Sequence, residues 1–137
     1  MEPEEIISEM YNKISWTDIL LFASSSAFGA YRGYCHSKGI YLDNVTDFGL
    51  AFGPTLAQGA FGAAMGATAS IAKTEPNRKE ISKAGGLEKI SHILKSKCTP
   101  LENAVMTSMF GAMSGGVQTW IGYGIGCGAG YFSKLFE

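Results

Sequence analysis

Cys35-His36, His92, Cys98 and Cys127 are the side chains of this 137-residue chain best suited to holding a soft metal ion or attacking an electrophile. Tetrahedral metal sites draw their ligands from closely spaced pairs, and no CxxC or HxxxH spacing links these residues. The reading is therefore no metal site and no cofactor. Residues 122–128, Gly-Tyr-Gly-Ile-Gly-Cys-Gly, have the look of a nucleotide loop. They lack the Lys-Ser/Thr that completes a phosphate loop, and no strand with a βαβ unit precedes them. Their strict alternation would also suit a β-strand, although the same glycines fall into two helical rows. Asp18 and Arg32 lie at opposite ends of one helical stretch and cannot meet within it. No nucleophile and base converge, so the chain is read as non-enzymatic, with no catalytic residue.

The elements that would position these residues are unusual in composition. The chain holds 18 glycines, 8 phenylalanines and 6 methionines, with only 17% charged residues and a net charge of −1. Soluble domains average about 7% glycine and about 25% charged residues. The balance excludes the basic footprint of a nucleic-acid binder. Glycine within a soluble helix costs about 1 kcal/mol relative to alanine. In a membrane, small residues instead let helix backbones approach one another. The expected fold is thus all-α: an integral membrane domain of three to four short glycine-zipper transmembrane helices, four being favoured, after an N-terminal amphipathic helix. Mean hydropathy, +0.09, is low for such a protein because Gly, Ala and Ser score weakly.

Residues 3–15 place Ile6, Ile7, Met10, Tyr11 and Ile14 on one stripe, as an amphipathic surface helix would. The acidic start resembles neither a secretory signal nor an arginine-rich presequence. Spans are expected over 17–34 and 47–72, the second kinked at Pro54. Residues 103–135 carry no charge before Lys134. One straight helix there would be roughly 50 Å long against about 30 Å of hydrocarbon, which predicts two spans, 103–117 and 120–135, turning near Gln118-Thr119. A single span with an emergent tail is the alternative. The intervening loop, 73–100, has seven basic residues against three acidic, a net +4. Arg78, Lys79, Lys83 and Lys89 are its candidate contacts with anionic lipid headgroups. Under this topology Cys35 and Cys98 lie on opposite sides of the membrane and Cys127 lies within it, so no intrachain disulfide is expected.

Small residues four apart recur in every expected span. Ser25, Gly29 and Gly33 mark the first; Gly59, Gly62 and Gly66 the second; Gly111 and Gly115 the third; Gly122, Gly126 and Gly130 the fourth. Gly49 and Gly53 form a further pair, and Gly124 and Gly128 lie beside the last row. Such rows form grooves without side chains, which another backbone can enter. They serve either to close the chain's own bundle or to dock the transmembrane helices of other subunits.

The segments SAFGAYRG at 26–33, GAFGAAMGATASIA at 59–72, TPLENAVMTSMFGAMSGG at 99–116 and YGIGCGAGYF at 123–132 resemble the Tim-type family of mitochondrial inner-membrane proteins. That family includes the channel-type subunits of the preprotein translocase and a related accessory subunit of respiratory complex I. The resemblance implies four short glycine-zipper spans, with Pro100 and Asn103 opening the third. The size, the short termini and the lack of a basic first loop look more like the complex I subunit, which has no redox centre. A non-catalytic structural or assembly subunit of an inner-membrane complex is the implied role, with lipids and neighbouring subunits as partners and no nucleic acid. A translocase component and a small pore former such as a holin are the alternatives. The positive-inside rule would place the +4 loop in the cytoplasm or matrix, whereas the resemblance implies that this loop and both termini face the intermembrane space.

Overall fold

The computed structural model describes residues 2–4, 15–72 and 85–137. Among these residues the chain is all-helical: α1 (Trp16–Lys38), α2 (Asn44–Ile71), α3 (Gly86–Lys95) and α4 (Pro100–Lys134). The expected surface helix over 3–15 falls almost wholly outside the described residues, as do Arg78, Lys79 and Lys83.

Local sequence accounts for the helix boundaries. Ser15 and Asp18 form a capping box that opens α1, and Gly39, at φ 72°, closes it in the left-handed conformation that costs glycine nothing. Asp43 caps α2 through the Thr46 N–H at 2.6 Å, a bond that holds the Asp43 carboxyl below its ordinary pKa. Thr99 caps α4, with Pro100 in the first turn, where its missing N–H is harmless.

The expected division of residues 103–135 into two helices is not what the chain adopts. α4 is one helix of 35 residues, about 52 Å long. The polar pair that suggested a turn is used inside the helix instead. Thr119 Oγ1 donates to the Gly115 carbonyl at 2.7 Å, and Gln118 Nε2 to Ser114 Oγ at 3.0 Å. Among the described residues the bundle therefore has three long helices, not four. Gln118→Pro distinguishes the two arrangements. Proline would be tolerated in a turn, but within this helix it is expected to cost about 3 kcal/mol or more, read as a lowered unfolding midpoint by circular dichroism.

α4 is the axis on which the others pack. Going up α4, its residues Asn103, Thr107, Gly111 and Gly115 meet Gly66, Gly62, Gln58 and Pro54 in turn, so α2 runs antiparallel to it. Gly122, Gly126 and Gly130 then meet Ser26, Ala30 and the Tyr34–Ser37 turn, so α1 runs parallel. α1 and α2 touch each other far less than either touches α4. The parallel pairing starts α1 partway up α4 and brings the last turns of the two helices together. An even number of spans would have returned the chain to its starting side.

α3 fills the space below α1. Leu87 reaches Gly111 and the Ser91 carbonyl accepts from Asn103, so α3 runs down α4 while α1 runs up it. The two helices meet N-terminus to N-terminus. Asp18 stands at that junction, with Oδ1 2.8 Å from the Gly86 N–H and Oδ2 3.4 Å from the Ser15 N–H. A carboxylate there offsets the two positive helix ends that would otherwise repel.

Burial is inverted relative to a soluble core. The buried apolar side chains among the described residues are Cys35, Pro54, Ala69 and Leu87, alongside Ser25, Ser37, Gln58, Lys89, Ser91, Asn103, Thr107 and Thr119. Leu20, Phe48, Leu56, Met113, Trp120, Ile125 and Phe132 all point outward. Among the described residues no helix is long and apolar enough to cross a membrane, so hydropathy does not support the spans expected over 17–34, 47–72, 103–117 and 120–135. The deficit is in apolarity, since glycine, serine, threonine and amide residues on the inward faces lower each helix average.

Candidate helix-packing site

The buried positions of α4 follow a simple rule. They recur every four residues from Asn103 to Thr119, advance by three to Gly122, then by four to Gly126 and Gly130. Each four-residue step rotates the buried face by about 40°, and the three-residue step turns it back by about 60°. Thr119 already meets Gly29 of α1, so the face of α4 passes from α2 to α1 between Gly115 and Thr119, and the three-residue step keeps it on α1.

The sequence-predicted packing residues Ser25, Gly29, Gly33, Gly59, Gly62, Gly66, Gly111, Gly115, Gly122, Gly126 and Gly130 are all buried. The structure brings them together within one chain. A Cβ at Gly66 would lie 2.6 Å from the Asn103 carbonyl oxygen, and one at Gly115 would lie 2.7 Å from that of Pro54. Cβ atoms at Gly29, Gly62, Gly111, Gly122 and Gly126 would overlap the carbonyl oxygens of Thr119, Thr107, Gln58, Ser26 and Ala30. Gly33 packs against Tyr123 and Cys127 in the same way, and Gly130 against Ser37. Gly59 is looser, with its nearest neighbour, the Ala112 Cβ, at 3.5 Å. The glycine rows thus close the chain's own bundle and are not free to receive partner helices. Gly49, Gly53, Gly124 and Gly128 differ, because a Cβ at any of them meets nothing within 4 Å.

Three polar clusters lock the glycine contacts in register. Asn103 donates to Ser70 Oγ at 2.7 Å and to the Ser91 carbonyl at 3.0 Å, while Thr107 Oγ1 donates to Asn103 Oδ1 at 3.0 Å. This ties α2 and α3 to α4. Midway up, Gln58 Nε2 lies 2.7 Å from both Ser25 Oγ and Gln118 Oε1, joining α1, α2 and α4. Near the top, Asp47 Oδ1 accepts from Arg32 Nε at 2.9 Å and pairs with His36 Nε2 at 2.8 Å. The other His36 nitrogen faces Tyr123 Oη at 3.0 Å, and the Arg32 guanidinium lies over the Tyr123 ring. Sequence reasoning missed these clusters. The signal for the first two was a lone amide, Asn103 or Gln58, in a glycine- and alanine-rich run, where an unpaired amide is costly.

No protein-family model, curated protein or solved structure matches this chain.

The remaining sequence candidates are scattered. Arg32 pairs with Asp47, and Asp18 lies far along α1 from it. Cys35, Cys98 and Cys127 carry free thiols, Cys35 being buried, and His92 has Glu88 as its neighbour at 3.9 Å. Among the described residues no three potential metal ligands come together. Lys89, offered as a headgroup contact, is only 1% exposed, so its ammonium does not face outward as that role requires.

Proposed function

We propose that this chain is a non-catalytic structural subunit that sits in a lipid membrane, as an accessory or assembly subunit of a mitochondrial inner-membrane complex of the respiratory complex I type. The observation that carries the membrane half of this reading is the inverted burial. In water, folding is driven mainly by removing apolar surface, and here that surface points outward while glycine and small polar groups fill the interior. Hydrocarbon removes the penalty on the outside and rewards close backbone packing on the inside. The low hydropathy of each helix fits the same picture, because the residues that lower it face other helices and not lipid. α3 and the first turn of α4, with Glu88, Lys95 and Glu102, form the polar end of the bundle and would meet the lipid–water boundary.

The subunit half rests on the glycine-pattern likeness in the segments at 26–33, 59–72, 99–116 and 123–132. Because the glycine rows are consumed internally, neighbouring subunits would contact the outward apolar faces, including the open backbone at Gly124 and Gly128.

Trp120, 70% exposed on α4, reports on the surroundings. In Trp16→Phe protein reconstituted into vesicles, lipids brominated on the acyl chains are expected to quench most of the Trp120 emission. Unquenched emission, together with a monodisperse protein in lipid-free buffer, would sink the membrane reading. Native electrophoresis after mild solubilisation is expected to place the chain in a large complex. Strong conductance of the isolated protein in planar bilayers would favour the translocase or holin-like pore alternatives.

A further inference from the structure

Gln58 is 3% exposed, and only one end of its amide is partnered. Nε2 lies 2.7 Å from both Ser25 Oγ and Gln118 Oε1, while the carbonyl oxygen has no partner among the described residues. Turning the amide over exchanges the roles and leaves the nitrogen alone instead, so the deficit survives either assignment. A buried polar group without a partner costs about 1–3 kcal/mol, which calls for an occupant at the unpaired end. Gln58 borders two cavities. The larger, about 360 Å³, lies between α1 and α2, with Leu21, Phe28, Gly53 and Phe61 on its walls, and opens outward. No charged side chain lines it among the described residues, whereas Asp18 borders the second cavity, of about 310 Å³. Pro54, also on the first wall, has no N–H, so the Leu50 carbonyl lacks its usual helical donor.

We propose that the α1–α2 cavity binds a neutral, mainly apolar molecule through a single hydroxyl held at the Gln58 amide. The size suits a short hydrocarbon body, since ligand pockets begin at about 300 Å³. The uncharged wall excludes an ionic headgroup, whose desolvation nothing there would offset. One hydroxyl could satisfy either orientation of the amide, donating to its oxygen or accepting from its nitrogen. The hydroxyl would belong to a long-chain alcohol.

A diazirine-bearing octanol, photolysed with the full chain in detergent micelles, tests the site. Adducts are expected to concentrate on Leu21, Phe28 and Phe61 and to fall about tenfold in Gln58→Leu, the loss of one well-placed hydrogen bond to a buried amide. Gly53→Leu gives the independent check. It fills the cavity mouth from a position where a Cβ touches nothing, so the helices stay packed, and it is expected to remove the same adducts while leaving those on Val117 and Ile125 unchanged. Competition by unlabelled decanol is expected and supports the site. Adducts spread evenly over all outward faces, or adducts on Phe28 and Phe61 that persist in Gly53→Leu, would overturn it and leave the membrane placement standing.

Discussion

Gly126→Leu is expected to separate α1 from α4 and abolish the compact fold, while Gly128→Leu, two residues further on, leaves it intact. The difference is what each new side chain meets. A Cβ at Gly126 overlaps the Ala30 carbonyl, which belongs to helical backbone and cannot swing aside, whereas a Cβ at Gly128 meets open space. Overpacking a core with flexible neighbours costs about 1–3 kcal/mol. With backbone as the neighbour the loss should reach at least about 3 kcal/mol. At Gly128 the change should fall within about 1 kcal/mol and can be favourable, since leucine is a far better helix former than glycine. Unfolding midpoints in a denaturing-detergent titration, followed by circular dichroism, measure both. Equal losses in the two variants would mean that the α1–α4 contact is not the one described.

Asn103→Ala is expected to cost roughly 2–4 kcal/mol, the second-largest effect, by releasing α3 and loosening the lower half of α2. Asn103 is fully buried, and its amide serves three partners on three segments: Ser70, the Ser91 carbonyl and Thr107. Removing it strands groups worth about 1–3 kcal/mol each when left unpaired, although lipid-embedded chains recover part of that through alternative partners. A double-mutant cycle with Ser70→Ala isolates the α2–α4 bond, with a coupling energy of about 0.5 kcal/mol or more expected. Proteolysis is expected to release α3 in Asn103→Ala before α1, α2 or α4. Wild-type protease resistance across residues 86–95 of that variant would overturn this account.

Much of the fold was legible before the structure. The helical class follows from residue type and spacing, because four-residue steps on a helix must share a face, and the eleven small residues picked out by that spacing are buried. The division of residues 103–135 was misread for a physical reason. A polar Gln-Thr pair in a long uncharged run reads as a turn only if its side chains have no partners within the fold, and Gln58 and the Gly115 carbonyl are supplied by tertiary packing and by the helix itself. Asp18 was equally opaque. Spacing shows that it cannot meet Arg32, but nothing local reveals that the start of a second helix, Gly86, arrives beside it.

Composition and periodicity alone settled that this chain makes helices with a bare, small-residue face and a bulky apolar one, since both are properties of a single helix. Which bare face meets which belonged to the tertiary structure. Every row of glycines can pair with every other at similar cost, so local sequence cannot choose among them. The choice comes from a few amides and one carboxylate whose partners lie on different helices.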